Sequence, residues 1–568
     1  MYKLSILGLL AGIAVSASGQ TPVPVVPIVS TPQLIAQSAA FRTLTGDTSS
    51  NLKLNGLGEA EDTEISGLGA VPASLVTPAS HTVFQTTLGT LPVTVTRDFA
   101  GLGNGYNANW TNQGLLPPDT NMAVGPTQIV QWVNLRLSVM DKNGAPLIGG
   151  ALGYINGNAI WSALGPTSVC ATTNQGDPLA AYDRIADRWV LSQFAFNIAN
   201  ATQSPFRAYP AAPYAQCIAV STTGDATGTY TLYEYDFVDL PDYGKIGIWP
   251  DGYYMTFNNF HFSTVTGLST YVNSTSCAFD RIKMLAGNSA GGICFAQGPL
   301  FFASLPSDFD GTTLPPAGSP NYFIGGDWFT LNNPPYSLHL QKFHADFVTP
   351  ANSTLNDGIG GGNGTYIMMP IPDVVGACGD GGGTCVPQPG TTRVLDTLSM
   401  RVMYPNKYRN RGGVESLVFT QSIDPPGSAV AGINWMEVRN PGGNPPAIRQ
   451  NGAITPNDGL NRWMGSATMD KLGNIAMGYS VSSSLVSPSI RIAGRLNSDI
   501  LGRVRGELDV KTGSGNQTAT AQRWGDYSSM QIDPADDCTF WYTTQYTNNS
   551  SGANWATQII SFKFNNCQ

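Results

Sequence analysis

Three acids stand out by their company. Asp251 follows Trp249 and Pro250, Glu415 sits in the otherwise apolar run VESLVF after the basic stretch Lys407–Arg411, and Asp526 follows Arg523 and Trp524. A carboxylic acid can protonate a leaving oxygen and a carboxylate can act as base or nucleophile. At a glycosidic bond the two stand about 5–10 Å apart. Aromatic faces stack on sugars, and a guanidinium clamps a carboxylate or sulfate through paired hydrogen bonds. Asp251, Glu415 and Asp526 are therefore the catalytic candidates. Asp119, Asp177, Trp249, Arg411, Arg462, Trp463, Arg523 and Tyr527 are the substrate-binding ones. Each acid also has a plainer role open to it, accepting hydrogen bonds from a neighbouring strand.

Other chemistries lack their signatures. There is no Gly-x-Ser-x-Gly elbow, no His-Glu-x-x-His and no phosphate loop. His339 and His344 fall on opposite faces of an alternating strand, a poor arrangement for a shared metal. No cofactor is expected. Structural calcium is left open at Asp308–Gly311 and at Asp536–Asp537, where short acidic turns resemble fragments of a calcium loop. The net charge of −9 gives no attraction for a phosphate backbone, which argues against nucleic acid. The expected partner is carbohydrate or a cell-surface glycan, met by a monomer with no membrane insertion.

The elements that must hold these residues repeat. An Asp after Gly or Pro, an apolar stretch, an Asp-led turn and an aromatic-rich strand recur in GDPLAAYDRIADRWVLSQF from Gly176, WMGSATMDKLGNIAMGYS from Trp463 and WGDYSSMQIDPADDCTFWYTTQY from Trp524. Weaker copies begin at Pro118 and Pro250. With 64 Gly, 39 Pro and 12% charged residues, the chain suits many short strands and tight turns. Strand-rich units of roughly 40 to 50 residues predict an all-β chain folded as one β-propeller of six or seven blades, with seven preferred. In QIVQWVNLRLSVMDKNGAPL the spacing places Val133, Leu135, Leu137 and Val139 on one face. In the turns, Asp141, Asp183, Asp225, Asp470 and Asp533 are expected to accept backbone N–H bonds and to lie away from the chemistry.

The sequence divides into 1–20, a signal peptide for export; 21–91, a low-complexity stalk or linker rich in Thr, Ser, Pro and Ala; and 92–568, the propeller. Eight cysteines in an exported chain favour four disulfides. Spacing suggests sequential pairs, Cys170 with Cys217, Cys277 with Cys294, Cys378 with Cys385 and Cys538 with Cys567, without establishing them. The loop CGDGGGTC has no nearby His to make it a zinc site.

With PPDTNMAVGPTQIVQWVN, NRWMGSATMDKLGNIAMGYS and RWGDYSSMQIDPADDCTFWYTTQY, the chain resembles a family of secreted bacterial propeller-like proteins. The resemblance covers nearly everything from Asp98 onward. It implies the fold class and an exported setting, and no activity. A more distant likeness is to sialidases, whose Asp boxes STTGDATGTY and SATMDKLGNIAMGY resemble in relaxed form; no sialidase site motif is matched. The activity expected is that of a glycoside hydrolase or polysaccharide lyase at the mouth of the propeller channel. The alternative is a propeller that binds carbohydrate or a surface partner without turnover.

Overall fold

A computed structural model describes residues 25–47, 73–110, 114–203, 207–326, 336–379, 383–399 and 401–568. The expected signal peptide at 1–20 lies outside them. Among the described residues the chain is all-β, with seven larger sheets in succession, a two-stranded ribbon of Thr384–Val386 and Leu395–Asp396 between the fourth and fifth, and two short α-helices, Val169–Thr172 and Arg281–Leu285. Sheet 1 runs through Asn121–Val124, Gln128–Val133, Arg136–Asp141 and Ile155–Asn156. Sheets 2 and 3 open with Leu179–Asp183 and Leu240–Ile248, and sheets 5, 6 and 7 with Met403–Arg411, Asn461–Met469 and Ser529–Ile532. Sheet 4 contains Asn321–Gly326, Ser337–His344 and Tyr366–Pro370. Its opening strand, Ser307–Asp310, is bridged to it at Leu305 and Ile324 but pairs in parallel with Met403–Arg411 of sheet 5. These opening strands touch one another in chain order, and that of sheet 7 packs against that of sheet 1.

Period-two alternation explains why the sheets stack. In sheet 1, Val130, Trp132, Leu137 and Val139 pack with Trp189, Leu191 and Ala219 of sheet 2. Met122, Ile129, Val133 and Met140, pointing the other way, pack with Trp541, Trp555 and Ile559 of sheet 7. Both faces are buried, so apolar side chains lie on each face of these strands, with Gln131, Arg136 and Ser138 buried among them. Val133 thus does not share a face with Leu137 and Val139. The chain turns at Asn134, which sits at φ 41° between two paired strands. Sheets 6 and 7 close on each other at Gly478, where an added Cβ would lie 2.4 Å from the Tyr542 ring.

A second correction concerns the expected stalk. Ile28–Ser30 and Leu34–Gln37 pair antiparallel with the outer strands of sheets 3 and 2. Ala73–Val76, Val83–Gln85 and Gly89–Thr90 pair in parallel with the outer strands of sheets 4, 5 and 6. Val93–Gly101 then completes sheet 7. These described strands of the segment cover sheet edges that would otherwise present unpaired backbone groups. Composition hid this, because short edge strands need few apolar residues.

All eight cysteines are paired as the spacing suggested. Each link constrains the unfolded chain and contributes on the order of 3 kcal/mol. No helix among the described residues is long and apolar enough to cross a membrane.

Candidate functional site

The opening strands carry charge at both ends, and the two ends are built differently. At their C-terminal ends the charges are paired. Arg409 donates through both terminal nitrogens to Asp537, at 2.7 and 2.8 Å, and Arg184 reaches the same carboxylate at 3.2 Å. Lys407 Nζ donates to Asp308 Oδ2 at 2.6 Å and to Gln531 at 2.8 Å, while Thr468 donates to Asp310 at 2.7 Å. Arg281 and Tyr253 both donate to Asp183. These partners come from different sheets. A cavity of about 20 Å³ among Arg184, Asp308, Asp310, Tyr404, Lys407 and Gln531 has room for about one water. The residues read as calcium-loop fragments are therefore engaged otherwise: Asp308, Asp310 and Asp537 bind cationic side chains, and Asp536 caps its own turn through Cys538 and Thr539. Among the described residues, no group of three or more His, Cys, Asp and Glu is placed to hold a metal ion.

The turn acids accept the backbone bonds expected of them. Asp141 accepts from Asn143 and Ala145, Asp183 from Ile185 and Ala186, Asp225 from Thr227, Asp470 from Leu472 and Asn474, and Asp533 from Ala535. Asp183 and Asp533 do more than that, since Arg281 and Lys142 bind them from neighbouring sheets.

At the N-terminal ends of the same strands lies a second cluster. Asp119 precedes sheet 1, Asp177 precedes sheet 2, Asp242, Tyr243 and Lys245 belong to sheet 3, and Arg523, Asp526 and Tyr527 precede sheet 7. Asp396 and Arg401 arrive from the long connection between sheets 4 and 5. The backbone repeats one device here. Asp119, Asp177, Tyr243, Ala303, Met464 and Asp526 all adopt positive φ, between 50° and 60°, at or just before an opening strand. In sheets 3 and 6 this coincides with a slip in pairing register, the kind of bulge that re-aims side chains.

Lys245 is the cation at the heart of this cluster. It is fully buried, with Nζ 3.5 Å from the centre of the Tyr243 ring, 4.2 Å from that of Tyr527 and 3.6 Å from Asp177 Oδ2. Its Nζ donates to the Gly244 carbonyl at 3.0 Å. Asp177 has no hydrogen-bond partner on either carboxyl oxygen among the described residues, and Asp119 Oδ1 and Asp526 Oδ1 have none either. Asn134 donates to Asp119 Oδ2 at 2.6 Å, and Arg523 pairs with Asp526. Burial pushes Asp119 well above the usual carboxylate range, with Asp177 and Asp526 adding repulsion. It raises Asp177 and Asp242 too, against the pull of Lys245, and lowers Lys245 itself. Asp396 is pushed up to about 6 by burial, opposed first by Arg523.

Of the residues chosen from sequence, Asp119, Asp177, Arg523, Asp526 and Tyr527 meet here. The rest do not. Asp251 lies in the turn after its opening strand and accepts from Tyr254. Glu415 is in the second strand of sheet 5 and accepts from Tyr408 at 2.6 Å. It pairs across from Asn410, six residues along from Tyr404, which packs against Tyr527. At about 3.3 Å per residue that puts Glu415 roughly 20 Å from Asp526, too far for a carboxylate pair. Arg462 is held in sheet 6 by Asp458 and Glu507, and Arg411 donates to the Leu472 carbonyl. Trp249 and Trp463 are buried, against Tyr408 and Trp524 respectively, and offer no face to a sugar.

Sequence reasoning missed Asp242, Lys245, Asp396 and Arg401. Lys245 left a readable trace as the lone cation in the strand LPDYGKIGI. Asp396 and Arg401 left none, because a connection between sheets placed them. No known family model matches this chain, and no curated protein matches it.

Proposed function

We propose that the chain is an exported seven-bladed propeller that binds carbohydrate or a cell-surface glycan without cleaving it. The propeller reading is supported by seven sheets in chain order whose opening strands touch in sequence, the last against the first. Four disulfides favour an oxidising setting, hence export.

The observation that carries the binding reading is the separation of the acids chosen for turnover. Asp251, Glu415 and Asp526 occupy three unconnected settings, and Asp526 is enclosed. The concavity suited to a sugar lies elsewhere. About 650 Å³ open between sheets 1 and 2 is lined by Arg42, Gln128, Asp187, Thr223, Asp225 and Thr227. Asp225, from the Asp-box-like turn, is held by Gln128 at 2.9 Å and by Arg42 at 2.5 Å. Such a fan of carboxylate, amide, guanidinium and hydroxyl groups matches the alternating donors and acceptors of a sugar.

A glycan array run alongside a polysaccharide-degradation screen tests this. Binding without new reducing ends or unsaturated products is expected, and Asp225→Ala should weaken it on the order of tenfold. Product release would favour a second reading, turnover at the buried cluster. That reading draws on Asp396, poised near pH 6, beside an Arg523 side chain that keeps 18% of its exposure.

A further inference from the structure

We propose that Lys245 and Asp177 become joined by an isopeptide bond, a covalent lock between sheets 2 and 3 formed after folding. The pair is poised for it. Nζ lies 3.6 Å from Asp177 Oδ2, both side chains are at most 2% exposed, and the acid has no hydrogen bond on either oxygen among the described residues. An ion pair meant to last has the geometry of Lys407 and Asp308, a 2.6 Å bond with a second donor given to Gln531. Lys245 and Asp177 lack it.

The reaction needs an uncharged amine, an uncharged carboxyl and a proton carrier. Burial drives Lys245 and Asp177 towards their neutral forms. Asp119 supplies the carrier: its carboxyl lies against Gly176, where an added Cβ would be 3.4 Å from Oδ2, its Oδ1 is unpartnered, and burial favours its protonated form. The Lys245 nitrogen adds to Asp177 Cγ, forming the N–C bond. Asp119 gives a proton to the departing hydroxyl and recovers one from the nitrogen, so the C–O bond breaks and one water leaves. No oxidant or co-reactant is required. The rings of Tyr243 and Tyr527 flank the nitrogen and keep bulk water from reversing the step.

Peptide mapping of the full-length folded protein by mass spectrometry, with disulfides reduced, tests this without any variant. The expected result is a branched peptide joining the Asp177 and Lys245 segments, one water lighter than their sum. Recovery of both segments as linear peptides of unmodified mass overturns the proposal. So does loss of water located at an Asp-Gly step, which is succinimide chemistry. Lys245→Ala and Asp177→Ala should each abolish the branched peptide. Asp119→Ala should abolish it in protein whose circular dichroism is unchanged; a branched peptide surviving there would overturn the role given to Asp119.

Discussion

The two ends of the opening strands hold similar numbers of charges and treat them in opposite ways. At the C-terminal ends, Arg409 grips Asp537 through two bonds and Lys407 grips Asp308, so each buried charge has a close partner. At the N-terminal ends, Asp119, Asp177, Asp242, Asp396 and Asp526 outnumber Lys245, Arg401 and Arg523, and oxygens of Asp119, Asp177 and Asp526 have no hydrogen-bond partner among the described residues. Buried ion pairs with good geometry tie elements together at little net gain in stability, whereas unsatisfied buried carboxyls carry a cost that persists for a reason. The paired end is a clasp between sheets. The other end, unpaired only in part, is where the proposed cross-link is placed.

That contrast predicts its largest effect at the paired end. Arg409→Ala leaves Asp537 buried with Arg184 as its one cationic partner among the described residues and should cost about 3–5 kcal/mol in urea unfolding. Adding Asp537→Asn to Arg409→Ala should recover part of that loss, because Asn removes the stranded charge, keeps a carbonyl for Arg184 and tolerates the left-handed backbone at φ 59°. Asp242→Asn at the unpaired end should cost about 1 kcal/mol or less, because it removes a buried charge rather than stranding one. Equal losses at both ends would erase the distinction.

How far the sequence revealed this arrangement follows from what each feature needs. The strand units, the turn acids and the four disulfides were legible because each is a local pattern: apolar alternation, an Asp ahead of its turn, cysteines in close succession. The left-handed residue at the strand starts was not. It falls on Asp, Asp, Tyr, Ala, Met and Asp, so the backbone repeats where the residue types do not. Asp119, Asp177 and Asp526 were found because their copies keep the acid. Lys245 was overlooked because a lone cation in the strand LPDYGKIGI belongs to no repeated phrase. The edge strands from 28 to 90 were illegible because their partners are up to several hundred residues away.

A medium-sized effect should appear in the pH dependence of stability. Asp396 faces Arg523, Arg401 and Asp526, and its folded value of about 6 exceeds the ordinary carboxylate value of about 4. The folded state therefore holds a proton that the unfolded chain has released, and stability falls as pH rises through that interval. Asp119 and Asp242 act in the same direction. Asp537, Asp458 and Glu437 are shifted downward, largely by arginine partners, so their contribution is lost as pH falls below about 4. Thermal melts should peak near pH 4–5, and Asp396→Asn should flatten the decline above it. A melting temperature still rising from pH 5 to pH 7 would contradict the raised values at the unpaired end.

The smallest effect is expected at Glu415, the acid that the sequence made most conspicuous. Its carboxylate is half-buried, accepts one bond from Tyr408, and stands beside the hairpin turn at Gly412–Gly413 rather than in either charged cluster. Glu415→Gln keeps a carbonyl acceptor for the Tyr408 hydroxyl, so the loss should be about 1 kcal/mol or less by urea unfolding. Glycan binding should not change, because Asp225 and Gln128 line a concavity between other sheets. A drop in binding with unchanged stability would return Glu415 to a functional role, and would place a second acid for use outside the charged strand ends, far from the concavity that Asp225 lines.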